Sequence, residues 1–179
     1  MADGRYWVFG YGSLIWNPGF DYVEARPALL RGAHRRLCIY SHHYRGTVEK
    51  PGLVYGLAPG GACRGMAYAV APDRFVAVRD YLREREQVTM VYLEAERPIV
   101  LPGGESGRAL TYMVDTAHEQ YAGKLAIEAQ WALVREAVGQ AGANLDYVRN
   151  TARHLVELGI RDREVEALMR LAEAEIVTN

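Results

Sequence analysis

Cysteine is scarce in this sequence: Cys38 and Cys63 are the only two among 179 residues, and they stand far apart without Cys-x-x-Cys spacing. This usage argues against a disulfide scaffold and favours a reducing compartment. The first residues lack a basic segment followed by a long apolar run, and no stretch is long enough to span a bilayer. We therefore expect a cytoplasmic protein that has no membrane partner.

An excess of charge of either sign is also missing, because 21 basic and 22 acidic residues leave a net charge of -1. A chain without basic bias lacks the electrostatic footprint of a nucleic-acid-binding protein. The five histidines follow no ligand spacing, and the adjacent His42 and His43 point in different directions on a strand or helix. The sequence therefore predicts no metal site and no nucleic-acid partner.

The length fits one domain, residues 1–179, with a sizeable core. Apolar patterning predicts one or two strands over 28–40, with Arg31, His34, Arg35 and Arg36 on a solvated side. Residues 53–58 and 64–71 are predicted to form a hairpin around Pro59-Gly60-Gly61.

The second half of the chain changes from strand to helix patterns. Pro72 opens a predicted helix that runs to Gln87, and strands are predicted over 88–101 and 109–114. Three helices follow from residue 125, the first ending near Gln140 and the next two capped by Asn144 and Asp162. Because strands and helices do not alternate strictly, we expect a mixed α+β fold: a small β-barrel of mixed sheet with helices packed outside.

The most distinctive stretch is Trp7-Val8-Phe9-Gly10-Tyr11-Gly12-Ser13-Leu14-Ile15-Trp16. An apolar strand runs into two glycines and a serine, a composition typical of a backbone cradle for a carboxylate or phosphate. An ordinary glycine-rich turn after a strand fits the same residues. It is not a P-loop, because no Gly-Lys-Ser/Thr follows, and the third glycine of a dinucleotide fingerprint is missing.

Candidate catalytic groups are limited to carboxylates, since no nucleophile elbow and no Ser-His-Asp order appear. Glu84 and Glu86 lie where a predicted helix gives way to a strand. Taken alone, each is typical of a solvated surface charge. Arg45, in a loop between a tyrosine and a glycine, either offers a planar fork to a carboxylate or is an ordinary surface arginine.

Five segments together resemble the ChaC family of γ-glutamylcyclotransferases, in the family's order and over about residues 6 to 175. They are Phe9 to Trp16, Tyr44-Arg45-Gly46-Thr47 with Pro51-Gly52, Cys63-Arg64-Gly65, Arg85-Glu86, and the Gly-x-Asn-x-x-Tyr segment Gly142 to Tyr147. The resemblance implies a γ-glutamylcyclotransferase-like barrel. It also implies a small-molecule substrate, glutathione, which the enzyme cleaves to 5-oxoproline and Cys-Gly without cofactor or metal. Cyclotransferases acting on other γ-glutamyl compounds, and a non-catalytic carboxylate-binding protein on this fold, are the alternatives.

The resemblance also assigns roles to residues. Glu86 matches the acid/base glutamate, and to act near neutral pH it would need a pKa raised by a desolvated cleft. Residues that match substrate-binding positions are Val8, Phe9, Gly10, Tyr11, Gly12, Ser13, Leu14, Arg45, Tyr121 and Tyr147.

One segment departs from the family pattern. Bacterial members often follow the Arg-Glu pair with a segment containing glycine, whereas this chain has Gln87-Val88-Thr89-Met90. The departure leaves the carboxylate in place and bears on the adjacent pocket wall. The sequence does not indicate an oligomeric state.

Overall fold

The computed structural model describes residues 5–86 and 89–178. The described strands and helices follow one another in the order β1 (Tyr6–Gly10), β2 (Glu24–Ser41), β3 (Gly52–Val70), α1 (Phe75–Glu86), β4 (Tyr92–Val100), β5 (Ser106–Val114), α2 (Ile127–Val134), β6 (Val138–Gly139), β7 (Gly142–Ala143), α3 (Asn144–Glu157) and α4 (Arg163–Thr178). No helix within these residues combines the length and apolar composition that a membrane crossing requires.

Five of the strands close into a barrel in the order β1-β3-β2-β4-β5. β1 pairs antiparallel with β3 and parallel with β5, so that Val8 lies between Tyr68 and Leu110. The expected small barrel of mixed sheet in a mixed α+β fold is confirmed. Because β1 is hydrogen-bonded to a strand on each side, the position of its last residue, Gly10, is fixed in the barrel. The segment that follows therefore starts from a fixed position.

The described residues form two compact units. The first comprises 5–35, 56–86 and 89–116, and the second comprises 36–55 and 117–178. In the first unit a cluster of buried side chains joins β1, β3, α1 and β5; it contains Val8, Leu14, Val70, Val78, Leu82, Leu110 and Tyr112. Each fully buried aliphatic side chain in such a core contributes about 1.5–3 kcal/mol. The cluster therefore holds α1 and the segment after β1 against the barrel.

The predicted hairpin over 53–71 is wrong, because residues 52–70 form one continuous strand. Gly60 and Gly61 have φ values of +91° and +74°, a backbone conformation that glycine adopts at little cost. These glycines therefore lie within β3 and do not reverse the chain.

The helix predicted from residue 125 is present, but its predicted end near Gln140 is wrong. α2 ends at Val134, and the short hairpin of β6 and β7 follows. Asp162 caps α4 as predicted, since its Oδ1 accepts the amide N–H groups of Glu164 and Val165 at 3.2 and 3.3 Å. Asn144 begins α3 without a side-chain cap, because its amide is used elsewhere in the second unit.

Candidate active site

The segment after β1 turns through Tyr11 and Gly12 into a single 3₁₀ turn over Ser13–Ile15. Gly10 closes the strand where a side chain has no room, because a Cβ there would lie 2.9 Å from the Leu14 Cβ. This close approach explains the first glycine of the motif.

Side chains from the barrel hold the carbonyl groups of this segment. Tyr68 Oη donates to the carbonyl oxygens of Leu14 and Ile15 at 2.8 and 3.0 Å, and Thr111 Oγ1 donates to that of Phe9 at 3.2 Å. Burial raises the pKa of Tyr68 to about 12, so its hydroxyl keeps the proton that it donates at neutral pH. Three carbonyl groups of the segment are thereby held by side chains of the barrel.

Arg35 holds the centre of the same segment, and its placement corrects the prediction of a solvated basic face. Its side chain is only 7% exposed, and it donates from Nε to the Tyr11 carbonyl at 2.6 Å and from Nη2 to the Arg64 carbonyl at 2.7 Å. Carbonyl and N–H point in opposite directions across a trans peptide. The bond from Arg35 therefore directs the Gly12 N–H away from Arg35.

A strand pattern could have identified Arg35. Ala33, Arg35 and Leu37 alternate along β2 and are all buried. Residues at i and i+2 of a strand share a face, so an arginine between two apolar residues faces the core. The charged residues on either side of Arg35 in the sequence obscure this alternation.

Glu86 is the last residue of α1, and its side chain is 16% exposed. Burial raises the pKa of its carboxyl above the usual value, and the adjacent Arg85 partly opposes this effect. Arg85 Nε lies 3.3 Å from Glu86 Oε1, and Arg85 Nη2 donates to Ser13 Oγ at 3.0 Å. One guanidinium thus contacts both the predicted acid/base glutamate and the predicted binding segment.

Tyr112 and Glu94 complete the surroundings of α1. Tyr112 Oη donates to Glu94 Oε2 at 3.2 Å, and Arg79 and Arg83 on α1 also hydrogen-bond the Glu94 carboxylate. Burial raises the pKa of Tyr112, and the charges of Glu94 and Glu86 raise it further. Tyr112 is therefore a neutral hydroxyl close enough to Glu86 to respond to its charge. Its sequence context, an alternating strand, gave no signal of this electrostatic influence.

Arg45, Tyr147 and Tyr121 belong to the second unit. The Arg45 guanidinium lies over the Tyr147 ring, 5.3 Å from its centroid, and its Nη1 donates to the carbonyl oxygens of Ala141 and Ala143 at 2.6 and 3.3 Å. Arg45 and Tyr147 are therefore brought together.

Tyr121 lies elsewhere in this unit. It forms a single β-bridge with Ile39, and its amide donates to the carbonyl of His118 at 2.9 Å.

The segment around Tyr147 also fastens the start of β3. The Asn144 side chain is fully buried and binds Leu53 twice, accepting its N–H and donating to its carbonyl, both at 2.7 Å. Tyr147 Oη accepts the Tyr55 N–H at 3.2 Å. The Asn and Tyr of the Gly-x-Asn-x-x-Tyr segment therefore pair with alternate residues of one strand.

Gln87 and Val88, which open the segment that departs from the family pattern, lie outside the described residues. Within 5–86 and 89–178, no group of three or more His, Cys, Asp or Glu side chains is arranged to hold a metal ion.

Comparison with known proteins matches residues 6–175 to the family model described as ChaC-like protein. The chain belongs to this family. It is 30% identical over 167 residues to the glutathione-specific γ-glutamylcyclotransferase of Escherichia coli, covering 93% of this chain and 72% of that protein. It is 32% identical to the human glutathione-specific γ-glutamylcyclotransferase 1, and the match covers 82% of this chain and 68% of the human protein.

The fold of this ChaC-like chain matches that of a solved relative. The yeast γ-glutamyl cyclotransferase specific to glutathione superposes with a TM-score of 0.85 at 22% identity, covering 96% of this chain and 99% of that one. The fold expected from the resemblance is thereby confirmed.

Proposed function

We propose that this ChaC-like protein is a glutathione-specific γ-glutamylcyclotransferase, which cleaves glutathione into 5-oxoproline and Cys-Gly. The environment of the Glu86 carboxyl is the main structural support for this proposal. The carboxyl is largely buried, its pKa is raised, and Arg85 links it to Ser13 of the segment after β1. Relatives about 30% identical over most of the chain bear the same activity in their names.

The proposed reaction needs no nucleophile from the protein. The α-amine of the glutamyl group attacks its own γ-carbonyl, forming the C–N bond of the five-membered ring while the amide bond to cysteine breaks. The attacking ammonium loses one proton before the attack and a second as its nitrogen becomes the ring amide. The departing nitrogen takes up one proton as the amide bond breaks and a second from water as it becomes a free ammonium. The protein must fold the glutamyl chain into a ring-closing pose, which is an entropic task.

Glu86 is assigned two of these proton transfers, the one that precedes the attack and the one that accompanies cleavage of the amide bond. As a carboxylate it takes the proton from the ammonium, and as a carboxylic acid it delivers a proton to the leaving nitrogen. A general acid–base group works best when its pKa lies near the operating pH. The burial that raises the Glu86 pKa shifts this carboxyl in the required direction.

The segment from Val8 to Leu14 is assigned to the glutamyl moiety. Backbone N–H groups in an ordered turn stabilise a carboxylate or a developing oxyanion. The hydrogen bonds from Arg35 and Tyr68 to backbone carbonyl groups support this assignment, because they fix the conformation of the turn. Arg45, Tyr121 and Tyr147 are proposed as further substrate contacts, on the resemblance alone.

The same proposal includes a single domain over 1–179, a cytoplasmic location and a small molecule as the partner. Two buried cysteines without disulfide spacing support the location, because they suit a reducing compartment.

Incubation of the pure protein with reduced glutathione and a panel of γ-glutamyl compounds tests the proposal, with products identified by mass spectrometry. We expect 5-oxoproline and Cys-Gly from glutathione. Free glutamate would indicate hydrolysis and contradict cyclisation. Turnover of other γ-glutamyl compounds without turnover of glutathione would show that the enzyme accepts a different leaving group. Binding without any product would show that the protein is a non-catalytic binding protein.

A further inference from the structure

The Arg85 side chain links the end of α1 to the residues that follow β1. Its Nη2 donates to Ser13 Oγ at 3.0 Å, and its Nη1 donates to the carbonyl oxygens of Asn17 and Pro18 at 2.8 and 3.1 Å. These acceptors lie at the first residue of the 3₁₀ turn and beyond its last residue. A single planar group therefore fixes the turn at its beginning and beyond its end.

The same guanidinium also faces its own helix. Nη1 donates to Tyr81 Oη at 3.1 Å, one helical turn earlier, and Nε lies 3.3 Å from Glu86 Oε1. The Arg85 side chain is 20% exposed, so these contacts form in a mostly dehydrated environment. Arginine presents its donors in a rigid fork, whereas a lysine ammonium is a point charge that cannot span the same acceptors.

We propose that Arg85 is a positioning residue that holds the Glu86 carboxyl and the 13–18 segment in one fixed arrangement. The inference rests on the proposed function, because positioning matters only if Glu86 moves protons for a substrate bound at that segment. Misplacement of a catalytic group by about 1 Å can cost about a hundredfold in rate.

The effect of the Arg85 charge on the pKa of Glu86 can be measured, and it distinguishes a positioning residue from one that only supports the fold. Arg85 on α1 is a charge that acts on Glu86, and the charge of Glu86 in turn acts on Tyr112 on β5. Arg85 also donates to the neutral Ser13 hydroxyl, and Tyr112 donates to Glu94 on β4. Tyr112 stays neutral because burial raises its pKa. Arg85 is therefore the cation that favours the Glu86 carboxylate, and its removal raises the Glu86 pKa further.

Two substitutions separate geometry from charge. Arg85→Lys keeps the charge and loses the fork, and Arg85→Gln loses both. Arg74→Gln is the matched control, because Arg74 is an exposed arginine just before the same helix. For each variant, kcat and KM for glutathione are measured across pH, and the Glu86 carboxyl is titrated by ¹³C NMR.

We expect Arg85→Gln to lower kcat by about ten- to a hundredfold and to move the acid limb of kcat/KM to higher pH. Arg85→Lys should lower kcat while its acid limb and Glu86 titration stay near those of the wild type. Arg74→Gln should remain within about twofold of the wild type in both readouts.

The proposal is overturned if Arg85→Gln keeps wild-type kcat, or if activity falls only in step with thermal stability while the acid limb stays unmoved. Absence of 5-oxoproline from the wild type would instead refute the proposed function. The NMR titration would then decide on Arg85 without turnover: an unchanged Glu86 titration in Arg85→Gln contradicts the positioning role, and a raised one supports it.

Discussion

At the scale of single residues, the environment of Glu86 differs from that of its neighbour Glu84. Glu86 is only 16% exposed with a raised pKa, whereas Glu84 lies on the exposed side of the same helix. Two carboxylates two positions apart thus have different solvation. The pair offers an internal comparison for the acid–base assignment.

Glu86→Gln should lower kcat by at least about a hundredfold with little loss of substrate binding, because glutamine keeps the shape and cannot exchange a proton. Glu84→Gln should stay within a few-fold of the wild type. Steady-state kinetics and ligand titration on both variants test this. If only Glu84→Gln loses activity, Glu84 and not Glu86 is the acid–base residue. If both variants keep normal turnover, the acid–base role belongs to another residue.

The stability of Glu86→Gln provides a separate check. A folded-state pKa raised by burial means that ionisation of Glu86 costs stability once the pH exceeds the unfolded value. Above that pH the variant should unfold at the same or a higher denaturant concentration than the wild type. A lost activity combined with retained stability therefore indicates lost chemistry, not lost folding.

At the scale of secondary-structure elements, α1 is fastened to β4 and β5 through one carboxylate. Burial opposes ionisation of Glu94, but hydrogen bonds from Arg83 and Arg79 outweigh it and hold the pKa at about 2, well below the usual 4.5. Tyr112 adds a third donor from β5. Because α1 ends at Glu86, this junction also supports the position of the candidate acid–base group.

A depressed carboxyl pKa contributes stability above its unfolded value and loses it as the pH falls through the folded value. Glu94→Gln should therefore lower the free energy of unfolding by about 2 kcal/mol at pH 7. This deficit should shrink between pH 4.5 and about 2, the window set by the two pKa values. Denaturation at several pH values measures it.

Glu96→Gln is the control for that measurement. Glu96 lies two residues along β4 and its side chain is 64% exposed, with its Oε2 at 3.5 Å from Nε of Arg108. An exposed pair contributes about 0–1 kcal/mol, so the control should change little at any pH. A deficit in Glu94→Gln that persists at pH 2 would indicate lost packing and not the ion-paired cluster.

At the scale of the whole molecule, the proposed reaction uses only groups that the chain and the substrate carry. No metal-binding group of side chains occurs among the described residues. We therefore expect chelator treatment to leave cyclotransferase activity unchanged within about twofold. Activity measured before and after chelation tests this, and loss that is reversed by a divalent metal would contradict it.

Local sequence determined the features that depend on neighbouring residues. The strand ending at Gly10, the helix over 75–86 and the Asp162 cap follow from periodicity and capping chemistry, which act within a few residues. The Arg85-Glu86 pair at the end of that helix could also be identified from the sequence, because it is one of the five segments that resemble the ChaC family. These features are short in range, so the order of residues is enough to predict them.

Tertiary structure decided the contacts between distant parts of the chain. The sequence indicated a turn at Gly60-Gly61, yet strand pairing keeps β3 continuous through it. Burial of Arg35 depends on the position of Tyr11, 24 residues away, and the pairing of Asn144 with Leu53 spans 91 residues. Hydrogen bonds and desolvation depend on spatial neighbours, which periodicity does not specify. The raised pKa of Glu86 likewise arises from the packing that excludes water, and only the folded chain supplies that packing.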